Sequence, residues 1–168
     1  MHLILSTGTL PSEIASLSFS YIGIYNNFLS GNLPTEIWSM EKLKGISTSQ
    51  NNFTGTLGSE IGLLPDDLNY LILYKNSFTG SFPTEIGRLS GLKWLWINDN
   101  SLTGIIPSEM GLLTSLSSLR VNGNYFTEGP IPVEICDLSP HWLWADCGKN
   151  DCSCCTQCCG NGDECAPP

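Results

Sequence analysis

The chain has 168 residues, with 7 Lys+Arg against 16 Asp+Glu for a formal net charge of −9; 14% of residues are charged and 41% apolar. That balance excludes a disordered polyelectrolyte and, with a pI near 4.4, leaves no cationic excess to neutralise nucleic-acid phosphates. No run of 18 apolar residues occurs, so no transmembrane segment is expected.

The start, Met1 to Leu10, has neither a basic n-region nor an adequate apolar h-region, so it does not read as a signal peptide. From Leu3 it already reads as the second half of a repeat, ending in Thr7-Gly8-Thr9-Leu10-Pro11. No polar or disulfide-bearing cap precedes it. The expectation is that a signal peptide and cap are missing from this sequence, which is favoured over a short genuine cap built from Met1 to Leu5.

Self-similarity then governs the chain. Leu10-Pro-Ser-Glu-Ile recurs as Leu33-Pro-Thr-Glu-Ile, Leu57-Gly-Ser-Glu-Ile, Phe82-Pro-Thr-Glu-Ile, Ile106-Pro-Ser-Glu-Met and Ile131-Pro-Val-Glu-Ile. The glutamates stand at 13, 36, 60, 85, 109 and 134, spaced by 23, 24, 25, 24 and 25 residues. An asparagine ladder, Asn27, Asn51, Asn76, Asn100 and Asn124, keeps the same period.

Ahead of each asparagine stands an apolar triplet: Phe19/Ile22/Ile24, Leu43/Ile46/Thr48, Leu68/Leu71/Leu73, Leu92/Leu95/Ile97 and Leu116/Leu119/Val121. The L-x-L segment predicts a short parallel strand with alternate residues inward. The asparagines predict a buried column that bonds its own turn and the next. Glycine after Thr or Ser, as in Leu29-Ser-Gly or Phe53-Thr-Gly, allows a bend. Proline, Ser/Thr and Glu then predict a short helical turn on the opposite side. The repeated glutamates are read there as structural rather than catalytic.

This pattern resembles leucine-rich repeat proteins of the 24-residue, plant-type subclass L-x-x-L-x-L-x-x-N-x-L-T-G-x-I-P. It departs at Thr48, Gly58 and Glu128. The resemblance implies an α/β solenoid with a parallel sheet on its concave face and short helical or 3-10 turns on its convex face. About six repeats are expected over residues 1–145.

Residues 146–168 are expected to form a disulfide-rich C-terminal cap. Leu143-x-Ala145 or Trp142-x-Trp144 would supply a last strand, and the repeat then dissolves. All eight cysteines, Cys136, Cys147, Cys152, Cys154, Cys155, Cys158, Cys159 and Cys165, lie at this end. An even number here reads as structural disulfides, in pairings that spacing alone does not choose. A zinc knuckle on Cys155-x-x-Cys158 is disfavoured for want of a second separated pair, so no metal is expected. The Cys-x-Cys-Cys-Thr-x-Cys-Cys run resembles caps of secreted algal, diatom-like leucine-rich repeat proteins. Disulfides imply an oxidising, extracellular setting, and Asn52-Phe53-Thr54 is a glycosylation sequon consistent with it.

No catalytic residue, cofactor or enzymatic activity is expected: His2 and His141 lie far apart and no nucleophile, phosphate-loop or metalloprotease motif occurs. The concave-face columns are more informative. Tyr21, Tyr25, Tyr70, Tyr74, Trp94, Trp96, Trp142 and, in one register, Trp144 fall there, joined by Ile72 and Arg120. Eight of the ten Trp and Tyr residues are thus placed outward, while all six Phe are read as core. Tyr and Trp suit a surface with one wet end, and such a band marks a binding site. A protein or peptide partner is the first expectation; a cell-wall polysaccharide is the alternative. Self-association through the concave face or the open N-terminal end is a third option. Ice binding is a fourth, disfavoured because it would want flat, regular Thr/Ser/Asn rows.

Overall fold

The computed structural model describes residues 7–146, 152–159 and 165–166. Met1–Ser6, to which the expectation about the chain start largely refers, lie outside them, as does Cys147. Six short strands, Tyr21–Gly23, Gly45–Ser47, Tyr70–Ile72, Trp94–Trp96, Ser118–Arg120 and Trp142–Asp146, pair in parallel in chain order. Their register runs Ile22, Ile46, Leu71, Leu95, Leu119, Leu143. All six are buried, as is the next inward column, Ile24, Thr48, Leu73, Ile97, Val121 and Ala145. Leu143 and Ala145 therefore face inward, and Trp142 and Trp144 outward.

The asparagines stitch turn to turn. Asn100 Oδ1 accepts from the Phe78 N–H at 3.1 Å, while its Nδ2 donates to the carbonyls of Leu73, Ile97 and Asn98. Asn51, Asn76 and Asn124 repeat the pattern toward Leu29, Phe53 and Leu102. Asn51, Asn100 and Asn124 are buried, but Asn27 and Asn76 are only half-buried, a correction to the uniformly buried column. Asn27 Nδ2 donates within its own turn, to Ile24 and Tyr25.

Five 3-10 turns, Ser12–Ser16, Thr35–Ser39, Ser59–Leu63, Thr84–Arg88 and Ser108–Leu112, and one α-helical turn, Val133–Asp137, line the convex side. Proline precedes five of the six, with Gly58 in the remaining place. Its carbonyl accepts the first turn bond, as Pro34 does from Ile37 N–H at 3.1 Å.

A second set of strands was not expected. Gly8–Thr9, Leu29–Asn32 and Asn52–Thr54 form one three-stranded sheet, and Thr79–Ser81, Ser101–Gly104 and Tyr125–Phe126 another. The Thr/Ser-Gly segment therefore pairs as well as bends. Gly31, Gly55, Gly80 and Gly104 hold φ between 77 and 86°, the left-handed region that a Cβ disfavours.

At the C-terminal end, Gln157–Cys159 pairs in parallel with Trp142–Asp146, and Cys165–Ala166 adds antiparallel at the edge. Cys136–Cys154 ties the helical turn to this segment, and Cys152–Cys155 closes a small loop. Cys158 and Cys159 are disulfide-bonded too. The repeat's sheet continues into the cysteine-rich segment. Among the described residues, no helix is long and apolar enough to cross a membrane.

Candidate functional site

Strand alternation sends every second side chain onto the concave face. One outward row reads Tyr21, Gly45, Tyr70, Trp94, Ser118, Trp142, and the next Gly23, Ser47, Ile72, Trp96, Arg120, Trp144, Gln157. Two residues further on lie Tyr25, Ser49, Tyr74, Asn98, Asn122 and Asp146. The structure thus gathers all ten expected contact residues on one face. Tyr21, Tyr25, Trp94 (45% exposed) and Trp142 (53%) stand open to solvent. Tyr70, Ile72, Tyr74, Trp96, Arg120 and Trp144 are half-buried among their neighbours.

The rings form a continuous stack. Tyr21 and Tyr70 lie 5.7 Å apart between centroids, Tyr70 and Trp94 6.0 Å, and Trp94 and Trp96 5.9 Å. Tyr74 meets Trp96 at 6.2 Å in a tilted arrangement. These separations lie in the favourable range for aromatic pairs. Burial raises the Tyr70 phenol above the usual tyrosine range, and Tyr21 adds to the effect.

At the C-terminal part of the face Arg120 is clamped. Its Cζ sits 4.0 Å from the Trp96 ring centroid and 3.9 Å from that of Trp144, one indole on each side. Partial burial pulls its pKa below the usual guanidinium value, which Tyr74 opposes. Trp96 Nε1 donates to Ser118 Oγ at 2.9 Å. Asn98 Oδ1, Asn122 Oδ1, Arg120 Nε, Trp144 Nε1 and Gln157 Oε1 are buried without a hydrogen-bond partner.

Four supporting residues were not expected. Gly45 makes room for the Tyr70 ring, Ser118 fixes Trp96, Gln50 Nε2 donates to Tyr74 OH at 2.9 Å, and Gln157 extends the Trp96–Arg120–Trp144 row. The register of the first three was legible; Gln157 lies beyond the last recognisable repeat. Lys44 is paired with Asp67. Two further readings are corrected. Phe28 is not core: it follows the ladder asparagine, one place before the inward Leu29, and is 67% exposed. Phe19 is only half-buried. Trp38, conversely, is buried in the convex turn. His141 Nδ1 lies 3.5 Å from Ser117 Oγ; His2 lies outside the described residues.

The profile described as Leucine Rich Repeat matches residues 67–89 and 91–113. The ectodomain of the receptor kinase GASSHO1/SCHENGEN3 from Arabidopsis thaliana, solved with CASPARIAN STRIP INTEGRITY FACTOR 2, is 32% identical with a TM-score of 0.74. This chain is a plant-type leucine-rich repeat protein. The match covers 87% of this chain and 17% of that one. The plant peptide hormone receptor RGFR1, solved with RGF2, is 30% identical over 87% of this leucine-rich repeat chain and 23% of its own, with a TM-score of 0.77. A plant ice-binding protein is 26% identical over 87% of this chain and 46% of its own, with a TM-score of 0.76. The chain therefore spans about a fifth of the receptor ectodomains and under half of the ice-binding protein. No curated protein matches the sequence.

Proposed function

We propose that this leucine-rich repeat chain is a non-catalytic extracellular recognition module that binds a protein or peptide segment along its concave face. The observation that carries this reading is the ring stack Tyr21–Tyr70–Trp94–Trp96 continuing into the clamped Arg120. Trp, Tyr and Arg supply large, pre-ordered contact area and dominate binding hot spots. A peptide lying across successive strands would meet one or two such anchors per repeat. The receptor RGFR1, captured with RGF2, supports a peptide reading, and the disulfides support an extracellular setting. Residues 1–145 would serve as the recognition solenoid and 146–168 as its cap. The sequon Asn52 lies exposed on the second sheet, where a glycan would leave the concave face clear.

An ice-binding reading is weaker. The concave face is bulky and uneven, and the recurring hydroxyl residues, Ser30, Thr54, Thr79 and Thr103 on the second sheets and Thr127 just past them, are staggered between neighbouring strands rather than aligned. Three of these hydroxyls already donate to glycine carbonyls of the preceding turn: Ser30 to Gly8, Thr79 to Gly55 and Thr127 to Gly104.

The test is a panel of displayed peptides and a glycan array, each probed with the wild-type chain, Trp94→Ala and Trp142→Ala. Peptide binding lost in both variants, each keeping its melting temperature, is the expected result. Truncating an exposed hot-spot Trp should cost at least about 2 kcal/mol of affinity. Glycan binding alone, or peptide binding that both variants retain, would overturn the assignment. Trp96→Ala is a poorer probe, because Trp96 also holds Ser118 and Arg120 and its loss should lower stability.

A further inference from the structure

Arg120 is held as a positioned cation that no acidic side chain among the described residues answers. Indoles cover both faces of its guanidinium, so only the in-plane N–H edge can reach a partner, the geometry with which arginine meets a carboxylate. The neighbouring acids are engaged elsewhere: both Asp146 oxygens accept from the Gly123 N–H at 2.9 Å, and Asp99 accepts from Asn98 Nδ2 at 2.6 Å.

Beside it lies the complementary feature. Asn98 and Asn122, 7% and 6% exposed, share its side of the sheet two residues further along their strands. Each has an amide oxygen buried without a donor. An orphaned buried acceptor costs about 1–3 kcal/mol, and two side by side are spared that cost if a ligand brings N–H groups to them. A carboxylate for the arginine and N–H donors for the asparagines describe one chemistry: an acidic residue within an extended peptide, its main-chain amides alongside. Six of the 16 acids behind the net charge of −9 are the repeated glutamates of the convex turns, away from this face. Lys93, exposed at the strand before, adds positive charge.

Resting on the recognition function just assigned, we infer that the Trp96–Arg120–Trp144 clamp with Asn98 and Asn122 is the specificity pocket for an Asp or Glu side chain of the bound peptide. The subsite reads the ligand, while Tyr21, Tyr70 and Trp94 supply sequence-tolerant stacking.

The experiment pans random nine-residue peptides on phage against the oxidised full chain. The strongest binder is then synthesised with its acidic residue and with the matching amide (Glu→Gln or Asp→Asn). Both peptides are titrated against wild type and Arg120→Gln by fluorescence anisotropy. Expected are an acidic residue at one fixed position, at least tenfold weaker binding of the amide peptide to wild type, and no preference between the two in Arg120→Gln. The comparison on wild type stands even if the variant misfolds. Peptides that bind through Trp94 without a fixed acid, or whose acid and amide forms bind alike, would overturn the pocket and leave the recognition function standing. A library yielding no binder would overturn both.

Discussion

Tyr70 reaches Tyr21 by lying across Gly45: a Cβ at position 45 would overlap the Tyr70 ring. The stack therefore spans three strands with only two aromatic residues, because the intervening one has no side chain. Gly45→Ala should displace the ring, which can rotate away, rather than unfold the strand. The expected outcome is an altered near-ultraviolet circular dichroism spectrum, a melting temperature lowered by a few degrees at most, and weaker peptide binding. Unchanged affinity alongside an altered aromatic spectrum would show that the Tyr21–Tyr70 contact takes no part in recognition.

The asparagine ladder predicts position-dependent costs. Removing Asn100 strands the N–H of buried Phe78, while the carbonyls of Leu73, Ile97 and Asn98 lose one donor and keep Asn76, Asn124 and the Lys75 N–H. Each stranded buried group costs about 1–3 kcal/mol. Asn27, half-buried and bonded by its Nδ2 within its own turn, should cost much less. Asn100→Ala is expected to destabilise by several-fold more than Asn27→Ala in thermal melts. Equal losses would show that the ladder's value lies in turn conformation rather than in bonds between turns.

The repeat's concave sheet, inward columns and convex turns were all legible, because a fixed period forces the same residue into the same environment in every turn. What the period concealed was conformational. Asn26, Gln50, Lys75 and Asp99, with φ of 53–57°, and Gly123 each precede a ladder asparagine in left-handed backbone. Gln50 and Lys75 give no sign of it, since the ladder's bonds impose the turn on whatever residue is present. The second sheets were missed for a related reason: Thr-Gly reads as a bend, and the bend and the strand pairing coincide. On the candidate face the ring columns were readable from spacing. The clamp on Arg120 was not, because it needs two indoles from strands on either side of it.

Disulfide reduction should act locally. Cys136–Cys154 closes a loop of sequence separation 18, and closures of this size stabilise by about 3 kcal/mol. Solenoid turns contact only their neighbours, so the loss should stay near this end. Cys136→Ala with Cys154→Ala is expected to raise amide exchange at Thr156–Cys159, where Thr156 brackets Leu143 through three hydrogen bonds. Exchange at Tyr21–Ile72 should not change. Increased exchange along the whole sheet would instead make the cap a global determinant of the fold.

Thr48 is the repeat's one polar residue in an otherwise apolar inward column, between Ile24 and Leu73. It is wholly buried, and its hydroxyl has no partner. Its backbone needs nothing from that hydroxyl: the N–H donates to Ile72, and the carbonyl accepts from Asn51 and Asn76. Valine has nearly the same shape and the same β-branched preference for strands. Thr48→Val should therefore remove a desolvation cost of about 1–3 kcal/mol with little repacking, and raise the melting temperature by roughly 2–12 °C for a chain of this size. Ser47 and Ser49 flank it on the outer face, with their hydroxyls 3.3 Å apart, so the binding surface is untouched and affinity should stay constant. A lower melting temperature would mean that the hydroxyl is satisfied in solution, and that this polar position stabilises the solenoid.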